Sequence, residues 1–184
     1  MSETKKACVF FADGMEECEA LIVVDLLRRA GVEVTTASVN GTRTVLSTHR
    51  IPVGADATVE EVDCAAMDLL VLPGGMPGTL NLGACAAVTD AVKAAVADRR
   101  LVGAICAAPS VLGDLGLLEG REATCYPGFE NRLTGAAVAG KKVAASGRVI
   151  TGQALGSAIP FALELIRQLV GEQAADRVQA AICF

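Results

Sequence analysis

Residues 69 to 72 read Leu-Leu-Val-Leu and are halted by Pro73-Gly74-Gly75. A strand with no polar residue on either side must be covered on both faces, which is the condition of a parallel sheet sandwiched between helices. The pattern recurs. "KACVFF" runs into Asp13-Gly14, and "LVGAIC" runs into "APSVLGDLG". Helical periodicity follows each run: Glu16 to Ala30 closed by Gly31, "CAAVTDAVKAAVADRR", and the stretch "APSVLGDLG" itself. "VEVTTASV" alternates as a strand, Asn40-Gly41 turns the chain, and the segments around Val45 and Ile51 predict a small β excursion. "KKVAASGRVITGQ" predicts two strands meeting at Ser146-Gly147, and "SAIPFALELIRQLVG" a last long helix with Pro160 near its first turn. The expected fold is therefore α/β: one domain over residues 1–184, with a mostly parallel central sheet and helices on both faces. Ligands in such sheets sit at the carboxyl ends of the strands.

Charge and cysteine usage narrow the function. The net charge is −5 and no dense Lys/Arg cluster occurs in the sequence, so neither nucleic acid nor an anionic membrane surface is an expected partner. The uncharged run from Leu69 to Thr89 is long enough to cross a bilayer but is broken by Pro73, Gly74, Gly75, Pro77 and Gly78. "MSETKKACVFF" shows no secretory signal, which sets the expectation of a cytoplasmic protein. The seven cysteines are odd in number and lack CxxC spacing, against both a disulfide framework and a zinc site; neither a metal nor a cofactor is expected.

One cysteine stands apart. Cys106 closes an apolar strand and precedes a helix, with the small residues Ala104 and Ala108 two positions to either side, as in a nucleophile elbow. A helix N-terminus favours a thiolate, so Cys106 is expected to be the most acidic thiol of the chain. Pro73-Gly74-Gly75 ends a neighbouring strand and offers the amides of Gly74 and Gly75 to a charge at the same sheet edge. On a helical wheel Glu19 falls among Ile22, Val23, Leu26 and Ala30, so burial raises its pKa and it is expected to stay protonated at neutral pH, donating to the thiolate. Glu17 projects to the opposite, solvent side. His49, the single histidine, lies in the β excursion far in sequence from the other candidates, and Cys125 and Tyr126 lie in the loop "ATCYPGFE" that could face a pocket.

"DGMEECEA", "DLLVLPGG", "GAICAAPSVLG" and "GSAIPFALELIRQLVG" together resemble the ThiJ/PfpI superfamily, in its DJ-one branch, over nearly the whole chain. The resemblance implies a flavodoxin-like sandwich and a homodimer. It implies an oxidation-sensitive nucleophile at Cys106, a protonated partner at Glu19, and adjacent amides at Gly75 and Ala107. It also places His49 near a dimer-proximal pocket. Family members often have a histidine where this chain has Tyr126, and a phenol is a poor general base at neutral pH. Three functions follow from the resemblance: an oxidative-stress protein working through sulfenate and sulfinate at Cys106, a cofactor-free glyoxalase or deglycase acting on small reactive aldehydes through a hemithioacetal, and a non-catalytic chaperone-like protein.

Overall fold

The computed structural model describes residues 4–184, so the first residues of the stretch read for a signal lie outside the described residues. Strand β1 (Lys6–Phe11) leads to helix α1 (Glu17–Arg29) and strand β2 (Glu33–Ser38). The expected excursion is an antiparallel hairpin of β3 (Thr44–Leu46) and β4 (Pro52–Gly54), followed by the short β5 (Ala57–Thr58). The aliphatic run is β6 (Leu69–Leu72), with α2 (Gly78–Ala84) and α3 (Ala86–Ala97) behind it, then β7 (Leu101–Ile105) and α4 (Pro109–Asp114). The rest comprises short strands β8 (Glu122–Ala123) and β9 (Ala137–Val138), the hairpin β10 (Val143–Ser146) and β11 (Val149–Gly152), and helices α5 (Ala158–Leu169) and α6 (Glu172–Ala181).

The main sheet has seven strands in the order β10-β11-β7-β6-β1-β2-β5, parallel except for β10. Its pleat divides the apolar runs between two cores. From β1, Ala7, Val9 and Phe11 pack with α1, α5 and α6, while Cys8 and Phe10 pack with α3 and α4 on the other face. A continuous apolar strand is what a sheet buried on both faces requires, and the α/β expectation holds. Helix α6 was not expected. Its buried residues, Ala174, Ala175 and Val178, are mostly too small to stand out as an apolar stripe.

Among the described residues no single helix is long and apolar enough to cross a membrane. The uncharged stretch after β6 folds back on the sheet, where its Leu82 and Val88 are fully buried.

Candidate active site

The carboxyl ends of β1, β6, β7 and β11 meet at one corner and are tied by backbone hydrogen bonds. The Glu16 amide donates to Gly74 O at 2.9 Å, the Cys106 amide to Gly152 O at 2.9 Å, and the Tyr126 amide to Cys106 O at 2.7 Å. Cys106 sits at the tip of β7 with φ of 64°, a left-handed backbone that costs an L-residue about 1–3 kcal/mol and persists only where its surroundings enforce it. Ala104 and Ala108 are fully buried beside it, as an elbow needs.

Glu19 is 1% exposed on the face of α1 that also buries Val23 and Leu26. Its Oε2 accepts the Gly74 amide at 3.1 Å, and its carboxyl is hydrogen-bonded to the Cys106 thiol. Burial pushes the Glu19 pKa up to about 7, against the hydrogen bonds from Cys106 and Gly74. Burial thus keeps the carboxyl protonated up to about neutrality, the direction its place on the apolar stripe predicts. The two glycines of the turn also part company. Gly75 and Ala107 give their amides to the Cys106 sulfur, whereas the Gly74 amide is spent on Glu19. Gly74 itself must lack a side chain, because a Cβ there would lie 2.5 Å from Cys106 Cβ and 2.6 Å from Glu19 Oε2.

The surroundings of Cys106 work against the expectation that it is the most acidic thiol. Burial, then the charge and hydrogen bond of Glu19, push its pKa up to about 12, and the Gly75 and Ala107 amides only partly offset them. The expected helix contribution is small because α4 has six residues and begins three positions after the cysteine. It is Cys64 that is lowered, chiefly by a hydrogen bond from the Cys8 thiol. Exposed Cys18 is raised by desolvation and by the carboxylates of Glu16, Glu17 and Glu19. Because Glu19 and Cys106 each raise or hold the other's proton, they titrate as a pair, with Glu19 the first to ionise and a single proton serving carboxyl and sulfur between the two steps.

Glu17 does not face solvent. It is 8% exposed under the β3–β4 hairpin, where its Oε1 meets His49 Nδ1 at 2.7 Å. Burial opposes its ionisation, yet its own backbone amide, the Ser47 hydroxyl and His49 hold it below the ordinary carboxylate value. The helical wheel missed this because the cover comes from a hairpin thirty-two residues away. Glu16, Glu17 and His49 place ligand-type atoms within 4.8 Å of one another, a grouping no sequence spacing announced. Glu16 also caps α1, accepting the Glu19 amide at 2.6 Å. Cys125 turns away into the α3–α4 core, 4% exposed, with its thiol raised by burial to about 11. Tyr126 is 47% exposed and touches Phe129 edge-on; what it contributes at the corner is its backbone amide.

Comparison with known proteins gives the corner a context. The chain is similar to "Protein DJ-1 homolog A" of Arabidopsis thaliana, 40% identical over 98% of this chain, although it spans only 47% of that protein's length. "Glutathione-independent glyoxalase DJR-1.2" of Caenorhabditis elegans is 30% identical over 100% of this chain and 99% of the relative. Among solved structures, "Toxoplasma gondii DJ-1, oxidized" superposes with a TM-score of 0.95 at 36% identity, covering 98% of this chain and 99% of that one. The model of the DJ-1/PfpI family matches residues 5–168, from the start of β1 to the last turn of α5, and this chain belongs to that family.

Proposed function

We propose that this protein is a cytoplasmic reactive-cysteine protein of the oxidative-stress response, in which Cys106 is oxidised to sulfenate and then sulfinate. The observation that carries the reading is the buried Glu19 carboxyl set against the Cys106 thiol across Gly74, with the Gly75 and Ala107 amides on the sulfur. As the sulfur attacks one oxygen of hydrogen peroxide, an S–O bond forms and the O–O bond breaks; the Glu19 carboxylate takes the thiol proton, and the departing hydroxide takes the proton of the attacked oxygen and leaves as water, with sulfenate left on Cys106. A second peroxide carries sulfenate to sulfinate, again releasing water. The protonated Glu19 then donates to one sulfinate oxygen and the amides serve the other.

One feature favours a second reading, a cofactor-free glyoxalase acting on methylglyoxal-type aldehydes. A carboxyl poised near 7 is matched to proton transfer at neutral pH, and the worm relative carries that activity in its name. In that chemistry the sulfur adds to the aldehyde carbon, the carbonyl oxygen becomes the hydroxyl of a hemithioacetal, and Glu19 moves the proton.

Intact-mass analysis after mild peroxide, run beside methylglyoxal turnover, separates the two. The parent protein is expected to gain two oxygens and Cys106→Ser none. Turnover lost in Cys106→Ser would establish the enzyme, and an unchanged mass gain in that variant would remove Cys106 from the oxidation altogether.

We also propose a homodimer. Leu21 on α1 and Leu46 and Ile51 on the hairpin, two elements joined through Glu17 and His49, are each more than two-fifths exposed, apolar surface that a second copy of the chain would cover. His49 lies on the same hairpin, 66% exposed at its side chain and within reach of a partner's site. Sedimentation at micromolar concentration should give twice the mass of the chain, and Leu21→Glu should halve it; a monomeric parent refutes the dimer.

A further inference from the structure

A second concave site opens at the opposite edge of the sheet. Between the end of α3 and the β10–β11 turn lies a cleft of about 300 Å³, lined by Arg99, Arg100, Arg121 and Arg148 with Gly147 and small apolar surface between them. The four cations are spread over fifty positions of a chain with net charge −5, so no basic cluster is visible in the sequence, and the fold gathers them. Arg99 and Arg100 precede β7 and Cys106 follows it, so the strand's length, about 16 Å, separates this cleft from the thiol.

Arg100, Arg121 and Arg148 are held chiefly by backbone carbonyls rather than by carboxylates. Arg100 Nη1 donates to the carbonyls of Cys64 at 2.7 Å and Met67 at 3.0 Å. Arg121 donates to Leu117 O at 3.1 Å and Ser146 O at 3.0 Å, and Arg148 to Gln168 O at 3.1 Å. Backbone carbonyls fix the planar forks but leave their charge in place. No carboxylate lines the cleft. Nearby, Asp98 pairs with Arg100 Nη2 at 3.5 Å through a side chain 66% exposed, and Asp68, bonded to Lys5 and the Lys6 amide, also feels the charge of Arg148. Arg100 Nε is a buried donor with no acceptor among the described residues, which an anion on the same guanidinium would compensate electrostatically. Arg99 has φ of 57°, a left-handed backbone that strains a residue with a side chain and that glycine would adopt freely.

We propose that this cleft binds the phosphate group of a small phosphorylated metabolite. Four guanidinium groups around one cleft suit a dianion with several acceptor oxygens, through the N–H groups the carbonyls leave free, and the volume holds a phosphate with a short carbon skeleton. A nucleic acid fits poorly, because the basic surface is confined to a cleft on an acidic protein.

The test is amide NMR of the full chain at constant ionic strength, titrated with ribose 5-phosphate, with inorganic phosphate and with ribose. Ribose 5-phosphate is expected to shift the Arg99, Gly147 and Arg148 amides saturably and to bind at least threefold tighter than inorganic phosphate, while ribose shifts nothing. Arg99→Gly removes one cation and relieves the backbone, so it should stay folded and weaken binding about tenfold. Arg148→Gln should weaken it comparably, and peroxide oxidation of Cys106 should be unchanged in both. Sodium chloride reproducing the shifts, an affinity untouched by Arg99→Gly, or the absence of saturable shifts would overturn the site. Equal affinity for inorganic phosphate would overturn the metabolite.

Discussion

Gly75→Ala is expected to destabilise the protein by about 4 kcal/mol and to abolish the reactivity of Cys106 with it. The φ of Gly75 is 90°, and a Cβ built there would lie 2.2 Å from the Glu16 amide nitrogen and 2.6 Å from the Met15 carbonyl carbon. Both neighbours are backbone, so no side chain can swing aside. The Glu16 nitrogen is also bonded to Gly74 O, and the Glu16 side chain caps α1, so displacing it shifts the first turn of the helix that carries Glu19. Strain at a left-handed position adds about 1–3 kcal/mol to the clash. Gly140→Ala serves as the control, because nothing lies within 4 Å of its Cβ position; a change under about 0.5 kcal/mol is expected there. Urea unfolding measures both. A Gly75→Ala protein as stable as the Gly140→Ala control would mean that the loop moves freely, and a movable loop cannot hold an amide on the sulfur.

The same contacts explain what the sequence disclosed and what it withheld. An apolar run closed by Pro-Gly-Gly declares a doubly buried strand, and a glutamate on an apolar stripe declares a buried carboxyl, because both follow from periodicity within one element. Whatever depends on two elements meeting was hidden. The wheel sent Glu17 to solvent because it knows nothing of the hairpin that covers it. Pro73-Gly74-Gly75 announced free amides but not that one would turn to the carboxylate and the other to the sulfur. The elbow motif located Cys106, but its titration is governed by burial and a carboxylate eighty-seven residues earlier in the chain rather than by the short helix after it. Four arginines in one cleft are legible only once β7 and β11 are side by side.

Glu19→Gln is expected to gain stability over the parent as pH rises, while losing the proton transfer that the site depends on. In the parent, the Glu19 carboxyl is raised from 4.5 to about 7 on folding, so the folded state favours the protonated form. That preference is fully present below the unfolded value and is lost as pH climbs through the folded one. The loss amounts to about 3 kcal/mol between pH 4.5 and 8. Glutamine escapes it. Its carbonyl can still accept the Gly74 amide, now 3.1 Å from Glu19 Oε2, and its NH₂ can still donate to the sulfur, so the packing survives. Taking the difference between parent and variant cancels the oppositely signed contributions of the lowered carboxylates Asp56, Glu61 and Asp68. The thiol moves as well: with the carboxylate gone, two of the three influences that raise Cys106 disappear, and its thiolate absorbance should emerge at lower pH than in the parent. Aldehyde turnover, where present, should nonetheless fall about a hundredfold, because an amide cannot accept and return a proton. Parallel stability curves for the two proteins, together with an unmoved thiol titration, would show that Glu19 ionises as freely in the fold as in the open chain, and the shared proton would have to be abandoned.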